Sequence, residues 1–294
     1  MAASNLSRFN TPAGRAFDVV NVALLVVVGV VALLPFVYVI AGSFATEAEL
    51  ATRSFFVWPE TFSIDAYRAI FTSPAFTRAL VTTILVTAVG TTIQLLLTAA
   101  MAYPLSKSNL PGRRVILSLV VFTMVFSGGM IPTFLVVKDL GLLDTYWALV
   151  LPMAINPFSL IIIKNFFQQL PAELEESAKI DGANELQTLW SVILPLSKPV
   201  LATFALFYAV GIWNDFMSPL LYLNDSSMWT LQMFLRQVTV ATDLSIVEGD
   251  TTQLPPAQGI KFAVIVVATL PILLFYPFLQ KHFAKGMLIG AVKG

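Results

Sequence analysis

The sequence predicts an all-α membrane protein with six transmembrane helices. Of its 294 residues, 57% are hydrophobic and only 12% are charged. Soluble domains carry about 25% charged and about 45–50% apolar residues, and the mean hydropathy here is +0.82. The apolar residues are also grouped, and six stretches meet the roughly 20 residues a helix needs to cross a bilayer core. They lie at about 18–42, 79–104, 114–137, 146–168, 200–223 and 260–281. Zero formal net charge gives no sign of nucleic-acid binding. The absence of cysteine excludes disulfides and thiolate metal sites.

The first stretch, near Val19–Ile40, is too long for a signal-peptide core and lacks a small-residue cleavage site. It reads as a retained helix. After it, Ser63-Ile64-Asp65 resembles a helix cap ahead of the amphipathic Tyr67–Phe71, which predicts a surface helix beside the first span. The second span carries one polar amide, Gln94. The third is interrupted by Ser127-Gly128-Gly129-Met130-Ile131-Pro132, which predicts a kink. Prolines in or beside the spans, such as Pro152, Pro157 and Pro219, read as kinks whose freed carbonyls are satisfied by neighbouring helices. Between spans five and six, 224–259 is polar and bounded by turn residues, which predicts a functional or disordered loop.

Lysine and arginine set the orientation. Eleven of the seventeen fall on one side: Arg8, Arg15, Lys107, Arg113, Arg114, Lys164, Lys179, Lys198, Lys281, Lys285 and Lys293. The expected topology has a cytoplasmic tail at 1–17, a six-helix transmembrane domain at 18–281 and a second cytoplasmic tail at 282–294. Loops 43–78 and 224–259 face outward, and the loop at 169–199 faces the cytoplasm.

That last loop is a polar island. Five of the seventeen acids lie between Glu173 and Glu185. Pro171 suits the first position of a helix, where its missing N–H costs nothing, and Glu173, Glu175 and Glu176 favour the positive end of the helix dipole. Gly182 supplies a stop. Asn184 or Asp181 then caps a second helix with an apolar stripe of Leu186, Leu189, Trp190 and Ile193, ended by Pro195 and Pro199. An anionic lipid surface attracts lysine and arginine rather than acids, so a protein partner fits this island better than lipid.

The spacing Glu176-Ser177-Ala178, three residues, Gly182, nine residues, Val192-x-Leu194-Pro195 closely resembles the "EAA" loop of binding-protein-dependent ABC importer permeases. Asp181-Gly182-Ala183 and Pro195–Pro199 resemble its carbohydrate-uptake, maltose-type branch. Ser127–Pro132 is similar to the complex or uronate (alginate- or pectin-type) oligosaccharide importers. The resemblance implies a type I importer permease fold in a bacterial inner membrane, multi-pass, with both termini cytoplasmic. It implies a coupling helix that docks on an ATPase subunit, with Glu175, Glu176, Ser177, Ala178, Asp181, Gly182, Ala183 and Pro195 as coupling residues. The implied partners are a second permease, two cytoplasmic ATPase subunits, an extracytoplasmic binding protein, an oligosaccharide and membrane lipid. The chain has no phosphate-binding G-x-x-x-x-G-K-[ST] loop, so ATP and Mg are expected on the ATPase. No metal, cofactor or catalytic group is expected in this chain, and the sole histidine, His282, reads as a solvated flank.

Polar groups within spans mark pathways or helix contacts. The pathway candidates are Gln94, Asn156, Tyr208, Trp213, Asn214 and Asp215. Interhelical hydrogen bonding is favoured for Gln94 and Asn156, and Trp213-Asn214-Asp215 fits either role. The resemblance makes the outward loop a reader of the binding protein, with Trp229, Glu248 and Asp250 as contacts. The alternatives are an ABC permease for a non-sugar solute or a secondary transporter. The latter predicts internal repeats and several intramembrane acids, whereas only Asp215 lies in a span.

Overall fold

The computed structural model describes residues 12–248 and 258–291, with side chains described for most of 14–240 and 258–274. Among them the regular secondary structure is helical apart from one isolated bridge between Ala45 and Phe62. It divides into two compact units. One holds the chain up to Thr72 with Val238–Val267, and the other holds Ser73–Gln237 with the chain from Ala268.

The first unit is built on α1 (Pro12–Ser43), an unbroken helix long and apolar enough to cross a membrane. Its apolar side chains from Phe17 to Phe36 stand exposed all round, as on a helix whose neighbours are lipid or other subunits. Two short helices follow, α2 (Glu47–Thr52) and α3 (Asp65–Thr72). The Asp65 N–H donates to the Ser63 hydroxyl at 3.1 Å, so the expected cap and surface helix are present. The Glu49 carboxylate accepts from the backbone N–H of Glu60 at 3.0 Å and of Thr61, and pairs with Arg53 at 2.6 Å. These donors, the Glu60 N–H foremost, hold its carboxyl below the usual carboxylate range.

The end of α1 packs on the start of α15 (Gln258–Ala291). A Cβ on Gly42 would lie 2.5 Å from the Phe262 ring, and that ring is also held edge-on by Tyr38 at 5.4 Å. Gly42→Leu is therefore expected to destabilise this unit by about 1–3 kcal/mol, the usual range for overpacking. A lowered thermal midpoint of the detergent-purified protein checks it; Gly29→Leu, with open space around it, is the neutral control.

The second unit centres on α4 (Pro74–Ser106), the second unbroken helix among the described residues that is long and apolar enough to cross a membrane. Ser73 caps it and Pro74 occupies its first turn, where a missing N–H is harmless. Around it stand α5 (Arg113–Val125), α6 (Met130–Asp139), α7 (Trp147–Val150) and α8 (Pro157–Phe167). The chain continues as α9 (Ala172–Ile180), α10 (Glu185–Thr188), α11 (Leu194–Leu196), α12 (Lys198–Trp213) and α13 (Met217–Tyr222). The core is formed by Ala102 and Leu105 of α4, Leu160 and Ile163 of α8, and Phe204 and Tyr208 of α12.

The apolar stretches at 114–137, 146–168 and 200–223 are not straight rods. Helices α5 and α6 meet at 118°, because Gly129 adopts φ 86°, ψ 178°, a region open essentially to glycine alone. A 55° bend separates the α7 segment from α8, where Asn156 and Pro157 restart the helix. The fifth stretch stops at Trp213 and restarts at Met217, so Asn214-Asp215 sits at a break rather than inside a span.

Two further expectations are corrected. Part of the 224–259 stretch, read as a loop, forms α14 (Leu231–Glu248); Leu231 and Met233 are buried at its start. Pro195, expected to end the second island helix, lies inside α11. The preceding turn, Leu189–Ile193, widens to a π-helix in which the Leu194 N–H reaches the Leu189 carbonyl. Such a turn re-registers the ladder ahead of a residue that lacks an N–H. The reversal comes afterwards, an 84° bend at Ser197.

Candidate functional site

The island of 170–199 is a helical hairpin set by local chemistry. Helix α9 ends in a Schellman turn: the Ala183 N–H bonds the Ala178 carbonyl at 2.9 Å and the Gly182 N–H bonds that of Lys179 at 3.0 Å. Gly182 takes φ +83°, and a Cβ there would find nothing within 4 Å. Glycine is needed for conformation, not for space. Pro171 stands one position earlier than expected, as the N-cap of α9.

Of the two expected caps for the second helix, Asn184 is the one used. Its side chain accepts from the Gln187 N–H at 2.8 Å, and the Gln187 side chain accepts from the Asn184 N–H at 2.8 Å, a reciprocal capping box. The expected apolar stripe splits. Leu189 and Ile193 are buried in the core beneath, while Leu186 and Trp190 are 65% and 55% exposed. With Ile180 at 86% exposed, they give the hairpin an apolar face around the Gly182 turn. Glu173, Glu176, Ser177 and Asp181 are exposed beside it.

Glu175 and Glu185 are instead engaged within the chain. Glu175 pairs with Lys107 at the end of α4. Glu185 accepts from the Tyr103 hydroxyl at 2.7 Å and pairs with Lys179 at 2.7 Å. That carboxylate holds the Lys179 ammonium above its usual pKa, chiefly through the hydrogen bond. Tyr103 and Lys107 were missed by sequence reasoning, although a tyrosine and a lysine four residues apart at the end of a span carry the signal.

The pathway candidates are not brought into one cluster. Gln94 is buried on α4. Asn156 caps α8, accepting from the Ser159 N–H at 3.0 Å. The Tyr208 hydroxyl lies 3.1 Å from that of Thr98, and the Trp213 indole donates to the Ala268 carbonyl at 2.9 Å. Asn214 donates to the Val210 carbonyl of its own helix. Asp215 accepts from the backbone N–H groups of Met217 and Ser218 at 3.0 and 3.1 Å. Asn156 and Asp215 thus restart broken helices, while Tyr208 and Trp213 join helices together.

Trp229 lies beside Arg78 near the start of α4, the end away from the island, and helix rise puts Arg78 roughly 38 Å from Tyr103. Trp229 lines a pocket of about 180 Å³ with Arg78, Ser226, Ser227, Phe234 and Gln237. Asp144 fixes the approach to this pocket, accepting from the Asn224 N–H at 2.6 Å and the Asn224 side-chain amide at 3.1 Å. The side-chain bond foremost, these donors keep its carboxyl below the usual range. Asp250 lies outside the described residues, and only the backbone of Glu248, at the end of α14, is described. Among the described residues no cluster of His, Asp and Glu could hold a metal ion.

The family of binding-protein-dependent transport system inner membrane components matches residues 1–289. The chain belongs to this family. It is a membrane transport subunit of an ABC importer and not an enzyme, with ATP hydrolysis in a separate subunit. Protein LplC of Bacillus subtilis (strain 168) is 68% identical to this permease over 287 residues, 97% of each chain. The polygalacturonan/rhamnogalacturonan transport system permease protein YtcP of the same organism is 54% identical over 285 residues, 95% of this chain and 99% of its own. A chain from the crystal structure of a bacterial ABC transporter involved in the import of the acidic polysaccharide alginate superposes with a TM-score of 0.85. It is 34% identical, and the match covers 94% of this permease and 99% of that chain.

Proposed function

We propose that this permease forms, with a second and homologous permease, the membrane path for a uronate-type oligosaccharide handed over by an extracytoplasmic binding protein. Two cytoplasmic ATPase subunits, carrying ATP and Mg, drive it through the island. The observation that carries the sugar class is the 54% identity to a permease named for polygalacturonan and rhamnogalacturonan transport; the alginate importer points the same way.

The island supports the coupling role. Its exposed face combines Ile180, Leu186 and Trp190 with Glu176 and Asp181, an apolar centre with a polar rim, as protein interfaces have. The lysine and arginine asymmetry supports a cytoplasmic island and cytoplasmic termini. Trp229 and its pocket then face outward, where the aromatic ring and the Arg78 guanidinium suit a sugar or an acidic side chain of the binding protein.

The test is reconstitution of the complete importer in liposomes with its binding protein. Galacturonide or alginate oligomers are expected to raise the binding protein's melting temperature and to accumulate in the liposomes in an ATP-dependent way. If an amino acid or a metal ion does so and no sugar does, the non-sugar reading replaces this one.

A further inference from the structure

Helix α4 meets both arms of the island through one face of its last turn. Tyr103 and Lys107 are four residues apart, which places them on the same side of the helix. Lys107 pairs with Glu175 on the first arm, and the Tyr103 hydroxyl donates to Glu185 on the second. The two anchors also hold each other, since the Lys107 ammonium lies 4.3 Å from the Tyr103 ring centroid. The side chains of Lys107 and Glu175 are only 22% and 18% exposed, so this is not a solvated surface pair of negligible strength. Lys179 joins Glu185 across the Gly182 turn and closes the hairpin on itself.

Two ties on opposite arms do what one cannot. A hairpin held at one point can pivot about it, whereas two points fix its angle to the helix. The same end of α4 is braced from two other directions. Gln168 donates to the Ser106 carbonyl at 3.1 Å, and Arg113 donates to the Leu105 carbonyl at 2.8 Å. Farther along, α4 touches α12 closely: a Cβ on Gly90 would lie 2.8 Å from Ile212 Cδ1, and Thr98 bonds Tyr208.

We propose that Tyr103 and Lys107 are positioning residues of the coupling step, a two-point latch that makes α4 move with the island as one lever and passes its displacement to α12. This rests on the island's being the ATPase-facing element. Without the latch the island still folds, through its Schellman turn and capping box, but its motion is spent in bending relative to α4.

The experiment uses the complete importer carrying Lys107→Met, Tyr103→Phe or Lys179→Met, the last cutting only the tie within the hairpin. The readouts are ATPase retained on purification, ATP hydrolysis, and solute moved per ATP. Lys107→Met and Tyr103→Phe are each expected to retain the ATPase yet lower solute per ATP by about fivefold or more, the lower edge of coupling between sites. Lys179→Met is expected to lower it less. Exchanging the charges, Lys107→Glu with Glu175→Lys, is expected to recover a substantial part of the loss. An unchanged ratio overturns the latch, as does a charge exchange that recovers nothing, or loss of the ATPase from Lys107→Met, since then the contacts only shape the docking surface. Full transport by Gly182→Asp instead refutes the docking reading itself, whatever the latch variants do.

Discussion

Gly182→Asp is expected to leave the permease in the membrane and to lower transport more than tenfold. The folding cost is small for identifiable reasons. The position has φ +83° with open space where a Cβ would go, so the penalty is conformational, about 1–2 kcal/mol for an ordinary L-residue and less for aspartate, which tolerates this region. A carboxylate at the C-terminal end of α9 adds roughly 0.3–1 kcal/mol of unfavourable dipole interaction. Neither effect reaches the core, since Leu189 and Ile193 hold the second arm from below. The damage falls on the partner. A new charge stands beside Asp181 in the apolar face of Ile180 and Leu186, where an unpaired charge must be desolvated on docking. Membrane abundance and uptake, measured together, check it. Gly182→Asn, which accepts the same backbone conformation without charge, should retain much more transport than Gly182→Asp.

Gly129→Val is expected to damage the fold itself. Gly129 sets the 118° turn between α5 and α6 from a backbone conformation that costs other residues of order 1–3 kcal/mol, and a β-branched side chain is among the worst there. The flanking segments are apolar helix formers, so relieving that strain favours continuing α5 in a straight line. That would carry Val137 of α6 away from Val86, Leu149 and Tyr222, among which it is buried. The expected result is a lower yield of monodisperse protein and a melting temperature reduced by several degrees. Gly128→Ala is the control. Gly128 has no positive φ, and its Cβ would meet only Pro132 at an ordinary 3.7 Å, so it should be close to neutral.

How far the site could be read from sequence depended on the range of the interactions that make it. The Gly182 stop, the Asn184 cap and the Ser63 cap are each decided within a few residues, and all three appear where local rules put them. The break at Gly129 was visible as a glycine interruption, but how sharply the chain bends there was not, and the break at Asn214-Asp215 was missed because both residues read as part of a span. Helix α14 was missed because length and polarity suggested a loop, although Leu231, Met233 and Phe234 pack its first turns. Pro195 misled because a proline usually ends a helix, and the π turn before it has no strong sequence signal.

By itself the sequence determined that this chain lives in a membrane and that the polar hairpin at 170–199 belongs to an ABC importer permease. Composition and short spacings are sufficient for those conclusions, because hydrocarbon thickness and helix-end chemistry act locally. Tertiary structure alone decided which faces of that hairpin are available. Of the same acid run as Glu176 and Asp181, Glu175 is turned inward by Lys107 and Glu185, though still exposed, is engaged by Tyr103; these partners lie 68 and 82 residues away in sequence. A carboxylate's role depends on the partner that reaches it, and that partner is known only once the chain has folded.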